Sequence, residues 1–289
     1  MKILFLGNHN VGIQAIKALL DAENEIIGVV AHPEDPEDGV IYESLFEFCT
    51  VLKLNVVRGQ ISDPKIYRFI KELNFDLIWV TDYRYLIPSD ILKLPPYGSI
   101  NLHPSLLPKF RGRAPINWAI LRGEKILGLS AHFIDIGIDT GPIIKQVKYT
   151  LSRNEDVGDA LSKLMPIYYD LTKKVIQMIT TGKVRTIKQN HSLATTFKAR
   201  KPDDGLINWD NKAEDIVNLI RAVSKPYPGA RAVINNNSYI FWKAKLLNNK
   251  VKNFKYPFVY NEKTGLYINC RVGNIKITEF NLTNEADTP

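Results

Sequence analysis

Over roughly its first 80 residues the chain alternates short apolar, β-branched runs with stretches of helical periodicity. This alternation restricts the fold more than any other feature. Strands buried on both faces read as continuous apolar runs, and parallel neighbours need helical crossovers between them. Lys2–Leu6 is the first such run, and Gly12–Leu20 behind it is periodic at helical spacing. Glu25–Ala31, Asn55–Val57 and Asp76–Thr81 read as further strands, separated by helices over Tyr42–Leu52 and Pro64–Leu73. Ser99–His103 reads as the next strand, and Pro104 behind it biases His103 toward extended backbone. Pro115–Arg122 and Val157–Thr180 read as helices, Leu129–Asp135 and Ile143–Tyr149 as strands.

From Asn190 onward the pattern changes to short strand-like segments between turn residues, with one helix at Ala213–Ala222. Pro226–Gly229, Asn235–Asn237 and Asn248–Asn253 punctuate this part, and Tyr256–Tyr260, Thr264–Cys270 and Asn274–Phe280 read as its last strands. A chain of 289 residues can bury two cores. The expectation is a catalytic α/β domain over 1–190 and a smaller, mainly β, barrel-like domain over 191–289.

Composition narrows the function classes. No run of 18 or more apolar residues occurs, so no membrane span is expected. The apolar start is too short for a secretory signal and suits a buried first strand. Two cysteines, Cys49 and Cys270, have no metal-like spacing, which fits a reducing cytoplasm and argues against disulfides and zinc. The net charge of +8 favours anionic partners, with nucleic acid and a nucleotide phosphate as candidates, although no Lys/Arg block stands out.

Asn101 and His103 lie two apart on a strand and therefore share a face, while Leu102 points to the other. The carboxyl end of a strand in an open α/β sheet is where such folds build sites. An amide donor stabilises charge developing on a carbonyl oxygen, a histidine moves a proton near neutral pH, and a carboxylate orients the histidine. Asp135 and Asp139 are both near enough in sequence to serve. Gly-x-Ser-x-Gly is absent, so a nucleophile supplied by a substrate, and direct acyl transfer, are expected. From spacing alone a satisfied structural Asn–His pair stands beside this reading. The loop Gly7-Asn-His-Asn-Val-Gly12 opens a helix where a phosphate would be received, but it is not a dinucleotide fingerprint. His132 reads either as a group behind the site or as a buried hydrogen-bonded histidine. Arg200 reads as a diphosphate contact or as a brace of its own turn with Asp203 or Asp204. Tyr227 reads as the edge of a nucleotide pocket or as packing at a domain junction, and Trp118, Trp209 and Trp242 as core aromatics.

The order Asn101-x-His103, Ser105-Leu-Leu-Pro108, Arg111-Gly112 and Asp139-Thr-Gly-Pro-Ile143 resembles the folate-dependent formyltransferases. The resemblance implies an α/β fold, a Rossmann-like mostly parallel sheet with helices on both faces, with a smaller mainly β C-terminal domain. It implies catalysis by Asn101, His103 and Asp139, the last chosen over Asp135, with N10-formyltetrahydrofolate as co-substrate and no metal. The folate would lie against Tyr83, Arg84, Tyr85, Leu86 and Ile87 and the turn through Asp135 and Gly137. Tyr83–Pro88, Arg111–Trp118, Arg200–Gly205 and Arg221–Ala230 are similar to segments of the sugar-nucleotide branch. The implied acceptor is a dTDP- or UDP-linked amino sugar, for surface polysaccharide such as O-antigen, held by Asn8, His9, Asn10, Ser105, Arg111, Arg200 and Tyr227. Methionyl-tRNA formyltransferase is the first alternative and formyltetrahydrofolate hydrolase the second. A cytoplasmic homodimer is expected, with no membrane partner and nucleic acid as the less favoured one.

Overall fold

The apolar runs pair as their pattern demands. β1 (Lys2–Gly7), β2 (Glu25–Ala31), β3 (Val56–Arg58), β4 (Leu77–Thr81) and β5 (Ser99–His103) form parallel ladders in a computed structural model that describes residues 1–33, 42–234, 236–247, 258–262 and 265–283. Between them run α1 (His9–Asp21), α2 (Leu45–Val51), α3 (Pro64–Glu72) and α4 (Ser89–Leu92). A two-residue strand, β6 (Arg111–Gly112), and α5 (Pro115–Leu121) lead to β7 (Ile126–Phe133) and β8 (Ile143–Thr150), which extend the sheet antiparallel. The seven-stranded order is β3-β2-β1-β4-β5-β7-β8. The chain reverses its winding direction between β1 and β4, opening a crevice at their carboxyl ends.

Alternation along each strand divides the core. Ile3 and Phe5 of β1, Trp79 of β4 and Ile100 and Leu102 of β5 pack with α1, α2, α5 and α6 (Val157–Thr180) on one face. Leu4 and Leu6, Ile78 and Val80 pack with α3 and α4 on the other. Asn101 and His103 belong to this second face, opposite Leu102. α6 spans the residues its periodicity predicts because Asp156 caps it, accepting from Gly158 N and Asp159 N. α2 starts later than the expected Tyr42, because the Ser44 side chain accepts from Glu47 N and fixes the first turn at Leu45. β7 stops at Phe133, leaving Asp135 in the following turn rather than on the strand.

The rest of the chain adds β9 (Thr196–Phe197), parallel to β6, then α7 (Ala213–Val223) and five strands. These are β10 (Ala230–Ile234), β11 (Asn237–Leu247), β12 (Phe258–Glu262), β13 (Gly265–Asn269) and β14 (Asn274–Thr283), in the antiparallel order β10-β11-β14-β13-β12. The unit is mainly β as expected, but its edges β10 and β12 do not pair among the described residues, so the ladder there is an open sheet and not a barrel. α7 packs Ile216 and Ile220 on Phe241, Ile268, Ile275 and Ile277. Asn235, the Asn-rich segment Asn248–Asn253, Tyr256 and Thr264 lie outside the described residues. The tryptophans correct a further expectation: Trp118, Trp209 and Trp242 are only partly buried, and Trp79 is the one fully enclosed. No described helix is long and apolar enough to cross a membrane.

Candidate functional site

β5 delivers Asn101 and His103 to the carboxyl edge of the sheet, and the antiparallel ladder with β7 sets His132 directly opposite Asn101. The turn after β7 brings Asp139 back over both. Asn101 Nδ2 donates to Asp139 Oδ1 at 3.3 Å and lies 3.3 Å from His132 Nε2. His103 Nδ1 is 3.5 Å from Asp139 Oδ2, and Gly112 N donates to the same oxygen at 2.8 Å. The spacing reading and the choice of Asp139 therefore converge on one cluster in space. His132 joins it with Nε2 3.6 Å from Asp139 Oδ1, so it is both buried and part of the site's surroundings.

The tautomers follow from backbone carbonyls, which only accept. His103 Nε2 faces Phe110 O at 2.8 Å and must carry a hydrogen. Its Nδ1, on the Asp139 side, is the nitrogen that gains or loses a proton. His132 Nδ1 donates to Phe133 O at 2.8 Å, which turns the Nε2 lone pair toward Asn101. Burial is the largest influence on His103 and lowers its pKa below 6.5, against the upward pull of Asp139 and of the Phe110 bond. Burial of Asp139 acts to raise its pKa, but the facing imidazoles of His103 and His132 and the Gly112 N–H overcome it. The carboxyl stays well below the usual carboxylate range.

Two close approaches shape this corner. A Cβ on Gly141 would sit 1.8 Å from Phe133 O, so only glycine lets the Asp139 turn fold back on β7. Gly112 has φ +88°, and a Cβ there would lie 2.3 Å from Phe197 O. That glycine holds the Asp139-binding N–H against β9.

A second polar cluster lies at the crevice between β1 and β4. His9 Nδ1 is 2.6 Å from Asp82 Oδ2, Asn8 Nδ2 is 3.2 Å from His32 Nδ1, and His32 Nε2 is 3.2 Å from Asp82 O. Tyr42 lies over His9 with centroids 4.0 Å apart, and Tyr83 and Tyr85 meet edge to face at 5.5 Å. Burial, the largest influence, lowers the His32 pKa. Partial loss of water around Asp82, whose side chain still reaches solvent, pushes its carboxyl upward, but the His9 bond and the charges of His9, His32 and Arg84 outweigh it and hold it low. Asn10 Oδ1 accepts from Glu43 N at 2.9 Å, tying the loop to the approach of α2.

The remaining residues named from sequence separate into several places. Tyr83 OH accepts from Ile61 N at 3.0 Å, and burial pushes its hydroxyl up to about 12. Leu86 is exposed, Ile87 packs on the core beneath α3 and α4, and Arg84 lies between the two tyrosines in sequence and is partly buried. Asp135 accepts from Gly137 N at 3.1 Å and from the Thr140 hydroxyl, which braces the turn carrying Asp139. Ser105 Oγ donates to Lys109 O at 2.7 Å within its own loop. Arg111 is buried, with its guanidinium on Gln189 and His191. Arg200 donates to Asp204 O at 2.7 Å and lies over the Trp118 ring at 5.4 Å. Tyr227 packs at the junction of the two parts, with its hydroxyl 3.5 Å from that of Tyr42. Sequence reasoning passed over His32 and Gln189. His32 follows the carboxyl end of β2, where the rule that found His103 would have found it, whereas Gln189 carries no local signal.

Comparison with known proteins fits this geometry. The family described as formyl transferase matches residues 1–167, and the one described as formyl transferase, C-terminal domain, matches residues 200–287. The bifunctional polymyxin resistance protein ArnA of Wigglesworthia glossinidia brevipalpis is 30% identical over 99% of the chain, which spans only 44% of that protein. The methionyl-tRNA formyltransferase of Acetivibrio thermocellus is also 30% identical, over 96% of the chain and 91% of its own length. The fold is shared with the N-formyltransferase from Helicobacter canadensis solved with folinic acid and dTDP-3-aminofucose. The TM-score is 0.73 at 23% identity, over 96% of this chain and 98% of that one.

Proposed function

The chain belongs to the formyl transferase family, and from that premise we propose that it moves the formyl group of N10-formyltetrahydrofolate to the amine of a dTDP- or UDP-linked amino sugar. The observation that carries formyl transfer is the convergence of Asn101, His103 and Asp139 on one corner of the sheet edge, where the nearby Ser105 and Ser130 hydroxyls both donate to backbone carbonyls. The amine lone pair attacks the formyl carbon and the carbonyl π electrons move onto oxygen. Collapse of this intermediate breaks the bond from carbon to N10; the amine loses one proton and N10 gains one. Asn101 supplies the N–H to the developing oxyanion, since its two contacts at 3.3 Å are long and readily exchanged. His103 Nδ1, neutral because burial lowers its pKa, takes the amine proton, and Asp139 stabilises the imidazolium that results.

Support for the sugar-nucleotide acceptor comes from the Tyr83–Pro88 and Arg111–Trp118 segments and from the crevice at β1 and β4, whose aromatic walls suit a sugar or base. The β1 loop would then face the acceptor, and Tyr83–Ile87 with the Asp135–Gly137 turn would face the folate. The part over 1–190 would be catalytic, and 191–289 would complete the acceptor site and a homodimer in the cytoplasm. Methionyl-tRNA remains the rival acceptor because of the net charge of +8 and the matched relative. The test is formylation of dTDP- and UDP-linked 3- and 4-amino sugars against charged initiator tRNA. Product on the sugars supports the proposal. Product on tRNA alone, with binding that falls steeply as salt is added, overturns it.

A further inference from the structure

Between α6 and β9 the chain runs as a strap along both loops that carry the catalytic cluster. Ile187 and Ile143 exchange backbone hydrogen bonds of 2.8 Å each way. Further on, Thr195 O accepts from Arg111 N at 2.8 Å, and the Thr195 hydroxyl accepts from Phe110 N at 2.9 Å. Phe197 O accepts from Arg113 N at 3.0 Å. Between these anchors stands Gln189, which is 4% exposed. Its Nε2 donates to the carbonyls of Asp139 at 2.8 Å and Gly141 at 2.7 Å. Its Oε1 accepts from Arg111 Nε at 3.2 Å and Nη2 at 2.6 Å. Every strong bond the amide can make inside this corner is made.

Asp139 needs such a hold. Its φ is +53°, in the left-handed region that costs a non-glycine residue about 1 kcal/mol or more. Its carboxylate must also stay aimed at His103 and at Gly112 N. We propose that Gln189 is a positioning residue for the catalytic carboxylate. It pins the left-handed Asp139 backbone by the two carbonyl bonds, and Arg111 holds the Gln189 amide in place instead of contacting the acceptor. The proposal rests on the formyl-transfer reading. A carboxylate displaced by about 1 Å costs on the order of 10²-fold in rate, and that sets the expected effect.

Gln189→Met keeps length and packing while deleting both donors. It is expected to lower kcat about 10²-fold, with KM for folate and acceptor changed less than about 2-fold. Gln189→Glu keeps the oxygen that Arg111 binds, and so the folded corner, but cannot donate to the two carbonyls; a similar loss is expected. In the Asp139→Ala background Gln189→Met is expected to cost less than about 3-fold more, because the group it positions is gone. Assays use N10-formyltetrahydrofolate with whichever acceptor the wild-type protein turns over, water included. A readout independent of turnover is hydrogen exchange at Gly112 N, which is bonded to the carboxylate. It should speed up at least about 10-fold in Gln189→Met while the β1 and β4 amides keep their protection. Wild-type kcat in both variants, a loss confined to KM, an equal loss in the Asp139→Ala background, or unchanged Gly112 exchange each overturns the positioning role. Failure of the wild-type protein to formylate any amine overturns the functional reading and leaves the exchange result to decide this one.

Discussion

Histidines face an aspartate at two places along one sheet edge among the described residues. At the β5–β7 corner His103 Nδ1 stands 3.5 Å from Asp139 Oδ2, with His103 buried and the Asp139 side chain 12% exposed. At the β1–β4 crevice His9 Nδ1 stands 2.6 Å from Asp82 Oδ2, and the Asp82 side chain is 47% exposed. The tighter contact is the wetter one. Asp139 is shared among Asn101, His103, His132 and Gly112 N, so no single partner claims it. Asp82 meets His9 directly, within reach of solvent and among tyrosines. Under the proposed function, the first pair would move the proton and the second would face the acceptor.

The largest expected effect is at the buried pair. His103→Ala should lower kcat on the order of 10³-fold, whereas His9→Ala should leave kcat within a few fold. Equal losses would erase the distinction between the corners. Asn101→Ala should lower kcat on the order of 10²-fold or more by removing the oxyanion donor, in steady-state assays with both substrates saturating.

Asp139→Asn should follow at about 10²-fold, and its pH profile sharpens the comparison. Because burial holds the His103 pKa below 6.5, wild-type kcat should fall only as the pH drops below that value. Asp139 pulls the His103 pKa upward, so the variant's acid limb should move lower still. A limb that stays put or moves up shows that His103 is not the titrating group. The same shift touches folding. Asp139 titrates below 3.8 in the native state, so its stabilising contribution is complete above that pH and disappears as acid reaches the native value.

His9→Ala should raise KM for the acceptor by about 10-fold, or about 1.4 kcal/mol, and leave the KM for folate alone. A change in the folate KM instead would move recognition of the acceptor elsewhere. The smallest effect is at Arg200, whose contacts are its own turn and the face of Trp118. Arg200→Ala should lower stability by about 0.5–1 kcal/mol in denaturant unfolding, with the acceptor KM unchanged. A rise in that KM would restore Arg200 to the diphosphate.

The parts of this fold that were legible in the sequence are those whose causes are local. β2, β5 and α6 carry the bounds that their runs and caps predict, and the two-residue spacing of Asn101 and His103 sufficed to aim them together. Asp139 needed the family resemblance, because no spacing rule tells which acid a turn folds back. The strand order of the second sheet is set by pairings between distant segments, so periodicity could not supply it. Gln189 was invisible for a related reason. It acts on backbone carbonyls at Asp139 and Gly141, far away along the chain, and peptide groups leave no mark in a sequence.

The strap from Ile187 to Phe197 also bears on how the protein can be divided. A gene cut after Lys188 would still encode Asn101, His103, Asp139 and every strand of the seven-stranded sheet. The fragment would lack the residues that bond Phe110, Arg111, Asp139 and Gly141. Extending the fragment through Phe197 would keep these bonds, so the seam for a split reporter or domain graft is better placed beyond that residue than at the boundary near 190.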